Sequence, residues 1–159
     1  MNNNSIYTII QDTREQNGYN FSSEQTCSGT IEKKLDTGDY SILGLEDQIC
    51  IERKASVEEL AINLGYKQEA FLKEIKRMET FKYKFLVLEF SLEDLIDFPE
   101  RTKIPQDKKV LIKMTGKYIL KCLMEFQIYN NLHVMFCGNR KSASEAVRSL
   151  LKRLNALYT

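Results

Sequence analysis

The sequence predicts an α/β fold: a single domain with a central mixed β-sheet flanked by helices. Three observations carry this. Short β-branched and aromatic runs crowd the first third of the chain, and strand-like runs then alternate with helical patterns. At 159 residues the chain has the size of one domain with one continuous core. It holds no repeat, no low-complexity tract and no linker-like run, so the whole of 1–159 reads as one unit.

Taken in order, SIYTIIQ (5–11) is a strand that runs into the polar loop DTREQNG. TIEKKL (30–35) alternates and predicts a half-exposed strand. DYSIL and QICIERK follow, joined by GLED as a four-residue hairpin loop. Ser56 and Glu59 have the spacing of a capping box, which starts a helix that ends near Gly65. A second helix over about 67–80 buries Phe71, Ile75 and Met78 on one side. KFLVLEF (84–90) has the look of a buried strand, and SLEDLIDFPERTKIPQ that of a short helix followed by a loop holding both prolines. From Asp107 one long helix is expected to reach Asn130, with Val110, Met114, Ile119, Leu123 and Phe126 facing inward. LHVMFC (132–137) is a further strand. A last helix closes the chain, with a second capping-box spacing at Ser142 and Glu145.

Composition excludes several classes of function. No apolar run approaches the ~20 residues of a membrane helix, and the start MNNNSIYTII lacks the shape of a leader, so a cytoplasmic protein is expected. A net charge of +1 argues against a strongly basic coat but leaves room for a local basic groove. Cys27, Cys50, Cys122 and Cys137 are scattered without metal-ligand spacing and read as reduced, mostly buried thiols. The single histidine, His133, sits in an apolar run and reads as a packed strand residue, which leaves Ser/His or Cys/His catalysis without support.

The informative stretch is GDYSILGLEDQICIERK (38–54). With GLED as the loop, Tyr40 pairs with Ile51 and Asp39 with Glu52. Alternation then puts Tyr40, Ile42, Ile49 and Ile51 on one apolar face, and Asp39, Ser41, Cys50, Glu52 and Lys54 on the other. A slip of one residue would mix the faces, so burial selects this register. Opposed residues place their Cβ atoms ~5 Å apart. Two carboxylates at that distance repel unless a cation intervenes, and Mg²⁺ is commonly held by one or two carboxylates with waters and phosphate. Spacing alone leaves two readings open: a metal site with Lys54 beside it, or an Asp/Glu/Lys patch on a solvated strand.

Asp39 followed by Glu52-Arg53-Lys54 is the D…ExK arrangement of the PD-(D/E)xK nuclease superfamily, and DTREQ…GDY…IERK resembles the XPF-type structure-specific endonuclease domain. The resemblance spans most of the chain, including FLKEIKRM, LVLEF and the region around FCGNR. It implies a restriction-endonuclease-like fold and a metal-dependent DNA endonuclease using Mg²⁺ or Mn²⁺, with branched or flapped DNA as substrate in repair, recombination or replication. It implies Asp39 and Glu52 as metal ligands, with the backbone carbonyl of Arg53 as a third. Lys54 is then the catalytic lysine, Asp12 a residue of the same cleft, and Arg14 with Glu15 an accompanying pair. Alone, DTREQ would read as a loop entry with an internal ion pair. Glu58 occupies the place of the family's last Asp with a longer arm, whereas Glu59 is better explained by capping.

The sequence departs from many relatives in having no tandem helix-hairpin-helix module, so either a homodimer or a partner would supply recognition of DNA structure. Lys67, Lys73, Lys76 and Arg77 lie closer in sequence to the hairpin than the lysines of the long helix and are the expected DNA contacts. Lys109, Lys113, Lys117 and Lys121 form a weaker candidate stripe, and Tyr66 reads as a packing residue. Two rivals remain: a catalytically silent DNA-binding or scaffold subunit, and a four-way-junction resolvase.

Overall fold

A computed structural model describes residues 5–22 and 24–159; the opening MNNN, part of the stretch read for a leader, lies outside the described residues. The chain runs β1 (Tyr7–Gln11), β2 (Cys27–Glu32), β3 (Tyr40–Ile42), β4 (Ile49–Lys54), α1 (Val57–Leu64), α2 (Gln68–Met78) and β5 (Tyr83–Leu88). It continues through α3 (Leu92–Ile96), α4 (Gln106–Lys109), α5 (Gly116–Asn130), β6 (His133–Phe136) and α6 (Arg140–Leu157). The six strands form one mixed sheet in the order β2-β1-β3-β4-β5-β6. β3 is antiparallel to β1 and β4, while β2 lies parallel to β1, and β4, β5 and β6 are mutually parallel.

The central strands are buried on both faces. On one side Cys50, Leu86 and Leu88 pack with Leu60 and Leu64 of α1, Phe71, Ile75 and Met78 of α2, and Ile119, Leu123 and Phe126 of α5. On the other, Tyr40, Ile42, Ile49, Ile51 and Val87 meet Ala143, Val147, Leu151 and Leu154 of α6. Strand alternation divides β4 and β5 between the two cores. Tyr40 pairs with Ile51, the register that burial predicts, although the connecting loop takes in residues 43–48 rather than GLED alone.

Helix ends follow local side-chain chemistry. Ser56 accepts from the Glu59 N–H and starts α1, and Gly65 ends it. Ser91 and Asp94 make a reciprocal capping box on α3. At α6 the cap is Asn139, whose side chain accepts from the Ser142 N–H, so the Ser142/Glu145 spacing falls inside the helix. Glu145 there pairs with Arg148 one turn on.

Two further elements differ from the sequence-based expectation. β2 starts and ends earlier than 30–35 because its ladder with β1 stops where β1 stops, Gln11 opposite Glu32. Lys33 and Lys34 therefore belong to the return loop. The long helix expected over 107–130 is two helices. A Cβ at Gly116 would lie 1.9 Å from the Leu95 carbonyl oxygen, so α5 begins against the backbone of α3, and residues 110–115 before it are not helical. Thr115 caps this new start by accepting from the Tyr118 N–H. Val110, expected inside, is exposed as a result.

Cys50 and Cys122 are buried, Cys27 and Cys137 half-buried, and all four are free thiols. His133 is an exposed residue of the edge strand, stacked on the Phe85 ring at 5.2 Å. Among the described residues, no helix is long and apolar enough to cross a membrane.

Because the contact at Gly116 is with backbone atoms that cannot turn aside, Gly116→Ala should cost about 2 kcal/mol or more. Urea denaturation checks this, as a lower midpoint at unchanged m value.

Candidate active site

The β3–β4 hairpin builds the site. Gly38 has φ +88°, and a Cβ there would stand 2.7 Å from Cys50 Sγ and 3.2 Å from the Ile51 carbonyl oxygen. Only glycine lets the chain cross β4 so closely. That crossing sets Asp39 just outside β3, where its N–H donates to the Ile51 carbonyl (2.8 Å) and its Oδ2 accepts from the Arg53 N–H (2.8 Å).

Glu52 and Lys54 project from the same face of β4. Lys54 Nζ lies 3.1 Å from Glu52 Oε1 and 4.0 Å from Glu59 Oε1, and 5.1 Å from the centre of the Phe71 ring. Ser41, Glu52 and Lys54 are all buried. The reading of this face as a solvated charge patch therefore fails: α1 and α2 roof it.

Burial also stresses the charges. Asp39 is pushed up to about 7, chiefly by loss of water, with Glu15 and Glu74 adding to the shift and the Arg53 N–H and Lys54 opposing it. Glu52 is raised well above the usual carboxylate range by burial and by Asp39, against the pull of Lys54. For Lys54, burial works against the ammonium, but Glu52, Glu74 and Glu59 outweigh it and its pKa is raised.

Arg53 leaves β4 on the opposite face and bolts a second wall in place. Its guanidinium takes both oxygens of Glu89, through Nε and through Nη2 (3.2 Å), and reaches Glu15 Oε1 at 3.1 Å. The Tyr19 hydroxyl donates to Glu89 (2.6 Å), and its ring lies 4.9 Å from the guanidinium and stacks on Tyr40 at 5.4 Å. Arg140, at the start of α6, donates to the Asn17 and Gly18 carbonyls, both at 2.8 Å. The loop after β1 is thus held from two directions.

Between these walls lies a cleft of about 300 Å³ lined by Arg14, Glu15, Asp39, Glu52, Arg53 and Glu59. Three expected site residues fall elsewhere or change part. Asp12 is buried away from the cleft: Oδ1 accepts from the Leu35 N–H (2.7 Å), Oδ2 from the Arg14 N–H (3.1 Å) and Nε (2.6 Å). Burial alone would raise its pKa, but these donors outweigh it and lower it. It organises the loop and has no free oxygen to offer. Glu58 does not line the cleft; Glu59 does, accepting from the Ala55 N–H (2.8 Å) while approaching Lys54. Arg53 enters through its N–H and guanidinium, and its carbonyl as a ligand stays a proposal.

The expected DNA contacts lie outside the cleft. Lys67 is exposed at the start of α2, Lys73 pairs with Glu69 (2.8 Å) and Lys76 with Glu79 (2.6 Å). Arg77 donates to Thr37 (3.0 Å) and lines a larger groove of about 720 Å³ beyond the 33–37 loop. That groove also holds Asp36, Glu46 and Asp47, so its charges offset one another.

Sequence reasoning missed Glu74 and Glu89. Glu74 hydrogen-bonds the Glu52 carboxyl from α2, and its position three after Phe71 and four before Met78 puts a charge on the buried stripe. That misfit was the available signal. Glu89 closes LVLEF, a charged residue ending an apolar strand.

The donor set suits a hard divalent cation: the half-buried Asp39 beside the buried Glu52, with Asp39 Oδ1 lacking a hydrogen-bond partner among the described residues. No three carboxylate, imidazole or thiol groups among those residues converge to cage an ion alone. Waters and phosphate would therefore complete the shell, as is usual for Mg²⁺.

A family model described as the ERCC4 domain matches residues 11–150. Among solved structures, XPF from Aeropyrum pernix superposes with a TM-score of 0.67 at 17% identity, over 93% of this chain and 65% of that one. The same protein in complex with DNA superposes at 0.64 and 18% identity, over 94% and 65%. This chain thus spans about 65% of the length of those structures, and the likeness establishes the fold, a mixed sheet flanked by helices as expected. No curated protein matches it.

The raised carboxylates set a pH dependence. An unfolded aspartate titrates near ~4, so the contribution of Asp39 is most favourable below that and is lost as pH rises through about 7. Without divalent cation, the melting temperature should fall from about pH 5 to about pH 8, and the fall should be shallower in Asp39→Asn. Calorimetry of both proteins across that range checks it.

Proposed function

This chain belongs to the ERCC4 domain family, and from that premise we propose that it is a metal-dependent DNA endonuclease that hydrolyses phosphodiester bonds. The observation that carries the proposal is that Asp39 and Glu52, two stressed carboxylates, line one wall of a cleft, with the buried Lys54 ammonium 3.1 Å behind Glu52.

Asp39 and Glu52 would hold Mg²⁺ or Mn²⁺, with the Arg53 carbonyl as a further ligand. Such an ion, when bound, lowers the pKa of a water and shields the charge of the phosphate. The protein's own groups do the rest. Lys54, held by Glu52 in a desolvated setting, donates to an oxygen of the scissile phosphate, where charge grows in the transition state. Arg14 presents a guanidinium with 62% of its side chain exposed at the mouth of the cleft, suited to a neighbouring phosphate. Glu15 and Arg53 keep the facing wall rigid. Cleavage leaves a 5′-phosphate, and the substrates are branched or flapped DNA in repair, recombination or replication. The DNA complex of the Aeropyrum pernix protein supports nucleic acid as the partner. Structure recognition comes from pairing with a second copy or with another protein.

Flap, fork, four-way-junction and linear DNA incubated with Mg²⁺ or Mn²⁺ test this. Wild type should cut a branched substrate, and Asp39→Asn and Lys54→Ala should each lose about 100-fold or more of the rate. Mn²⁺ should also raise the melting temperature of wild type near neutral pH and not that of Asp39→Asn. DNA binding without metal-stimulated cutting of any substrate would return the protein to a silent scaffold. Cutting confined to the four-way junction would make it a resolvase.

A further inference from the structure

Charge is unevenly distributed along the chain. Residues 101–121 hold seven lysines and arginines against one acid, Asp107, a net +6. The whole chain carries +1, so the remainder carries −5. Part of that excess is satisfied locally: Arg101 pairs with Glu93, Asp94 and Asp97, Lys121 with Glu125, and Lys109 donates to the Glu100 carbonyl. Lys103, Lys108, Lys113 and Lys117 are exposed and make no ion pair among the described residues. Lys67 is in the same condition.

The fold brings part of this segment to the α1–α2 turn. Gln68 Nε2 donates to the Tyr118 hydroxyl at 3.3 Å, and Met114 Cε lies 3.6 Å from where a Cβ on Gly65 would stand. Met114 and Tyr118, the chain neighbours of Lys113 and Lys117, thus meet the turn that presents Lys67 and Tyr66. Tyr66 is 82% exposed, against the expectation that it packs. Val110 and Leu111, at 73% and 76%, add apolar surface within the cationic segment.

We propose that this surface, centred on Tyr66, Lys67, Lys113 and Lys117, binds a single-stranded segment of nucleic acid, the unpaired arm of the DNA on which the cleft acts. Unpaired lysines meet phosphates, and an exposed aromatic ring offers a stacking face to any base. A duplex would use the lysines and leave the ring and the apolar pair idle, because its base faces are hidden. The position also suits an arm of the substrate. α1 starts beside the cleft, where Ala55 and Glu59 line it, and ends at this turn, a span of about 12 Å for eight residues. The inference deepens the endonuclease reading and rests on it for the identity of the arm.

Binding is measured apart from cleavage, with the full chain carrying Asp39→Asn, in the absence of divalent cation. Fluorescence anisotropy follows a labelled oligo(dT) and a blunt duplex at several salt concentrations. Lys67→Gln/Lys113→Gln/Lys117→Gln should weaken oligo(dT) binding and flatten the slope of log K against log[salt] by about 2. Tyr66→Ala should weaken it by about fivefold or more with the slope unchanged. Lys141→Gln, on α6 across the sheet, should leave both quantities unchanged, and melting temperatures of all variants report that they are folded. Oligo(dT) affinity indifferent to all of these changes would overturn the proposal and leave the surface to an acidic, apolar peptide. An equal loss on blunt duplex would overturn it too. If oligo(dT) binds as expected while no substrate is cut, the endonuclease reading fails and this surface stands.

Discussion

Three consecutive charged residues, Glu52, Arg53 and Lys54, lie in a strand that is covered on both faces, and the architecture around them follows from that constraint. An unpaired charge in such a place costs several kcal/mol, so each must find a partner or lose its charge. Alternation sends the outer two to one side and the middle one to the other. Glu52 and Lys54 pair with each other beneath α1 and α2. Arg53 takes Glu89 and Glu15 on the far side.

The pairing is incomplete in one respect, at the carboxylates proposed to hold a cation. Asp39 joins Glu52 with only the Arg53 N–H and the field of Lys54 to support it, and Glu74 adds a third carboxyl. Negative charge exceeds positive on that side of the strand. A cation, as proposed for this site, would relieve that excess. The same scarcity of water that raises Asp39 and Glu52 strengthens any interaction Lys54 makes with a phosphate. The opposite wall has no such surplus: Arg53 and Arg140 fix the loop after β1 with Tyr19 between strand and solvent. One wall is stressed and the other braced, so a strain at the first is not relieved by movement of the second.

Electrostatics on the larger scale follows a different rule. Of the four basic residues expected to meet DNA, Lys73 and Lys76 are paired along their own helix and Arg77 turns to another groove, whereas Lys67 makes no ion pair among the described residues. Lys113 and Lys117, unpaired among the described residues, come from the segment that packs against the turn at the far end of α1. Proximity along the chain was a poor guide to which cations are available, because availability depends on which acids the fold brings alongside.

Local chemistry in the sequence determined what depends on neighbours within a helical turn or across one short hairpin. The Tyr40/Ile51 register, the Ser56 cap, the Gly65 stop and the common face of Glu52 and Lys54 all follow from alternation, side-chain reach and helix-end hydrogen bonding. Tertiary structure alone decided that Asp12 spends its carboxylate on Leu35, that Glu59 rather than Glu58 reaches the cleft, and that Glu74 and Glu89 complete the network. It also divided the expected long helix over residues 110–115 and set the start of α5, Gly116, against the backbone of α3. Each of these contacts joins groups far apart in the chain or selects between adjacent ones by direction, and neither is encoded in a local period.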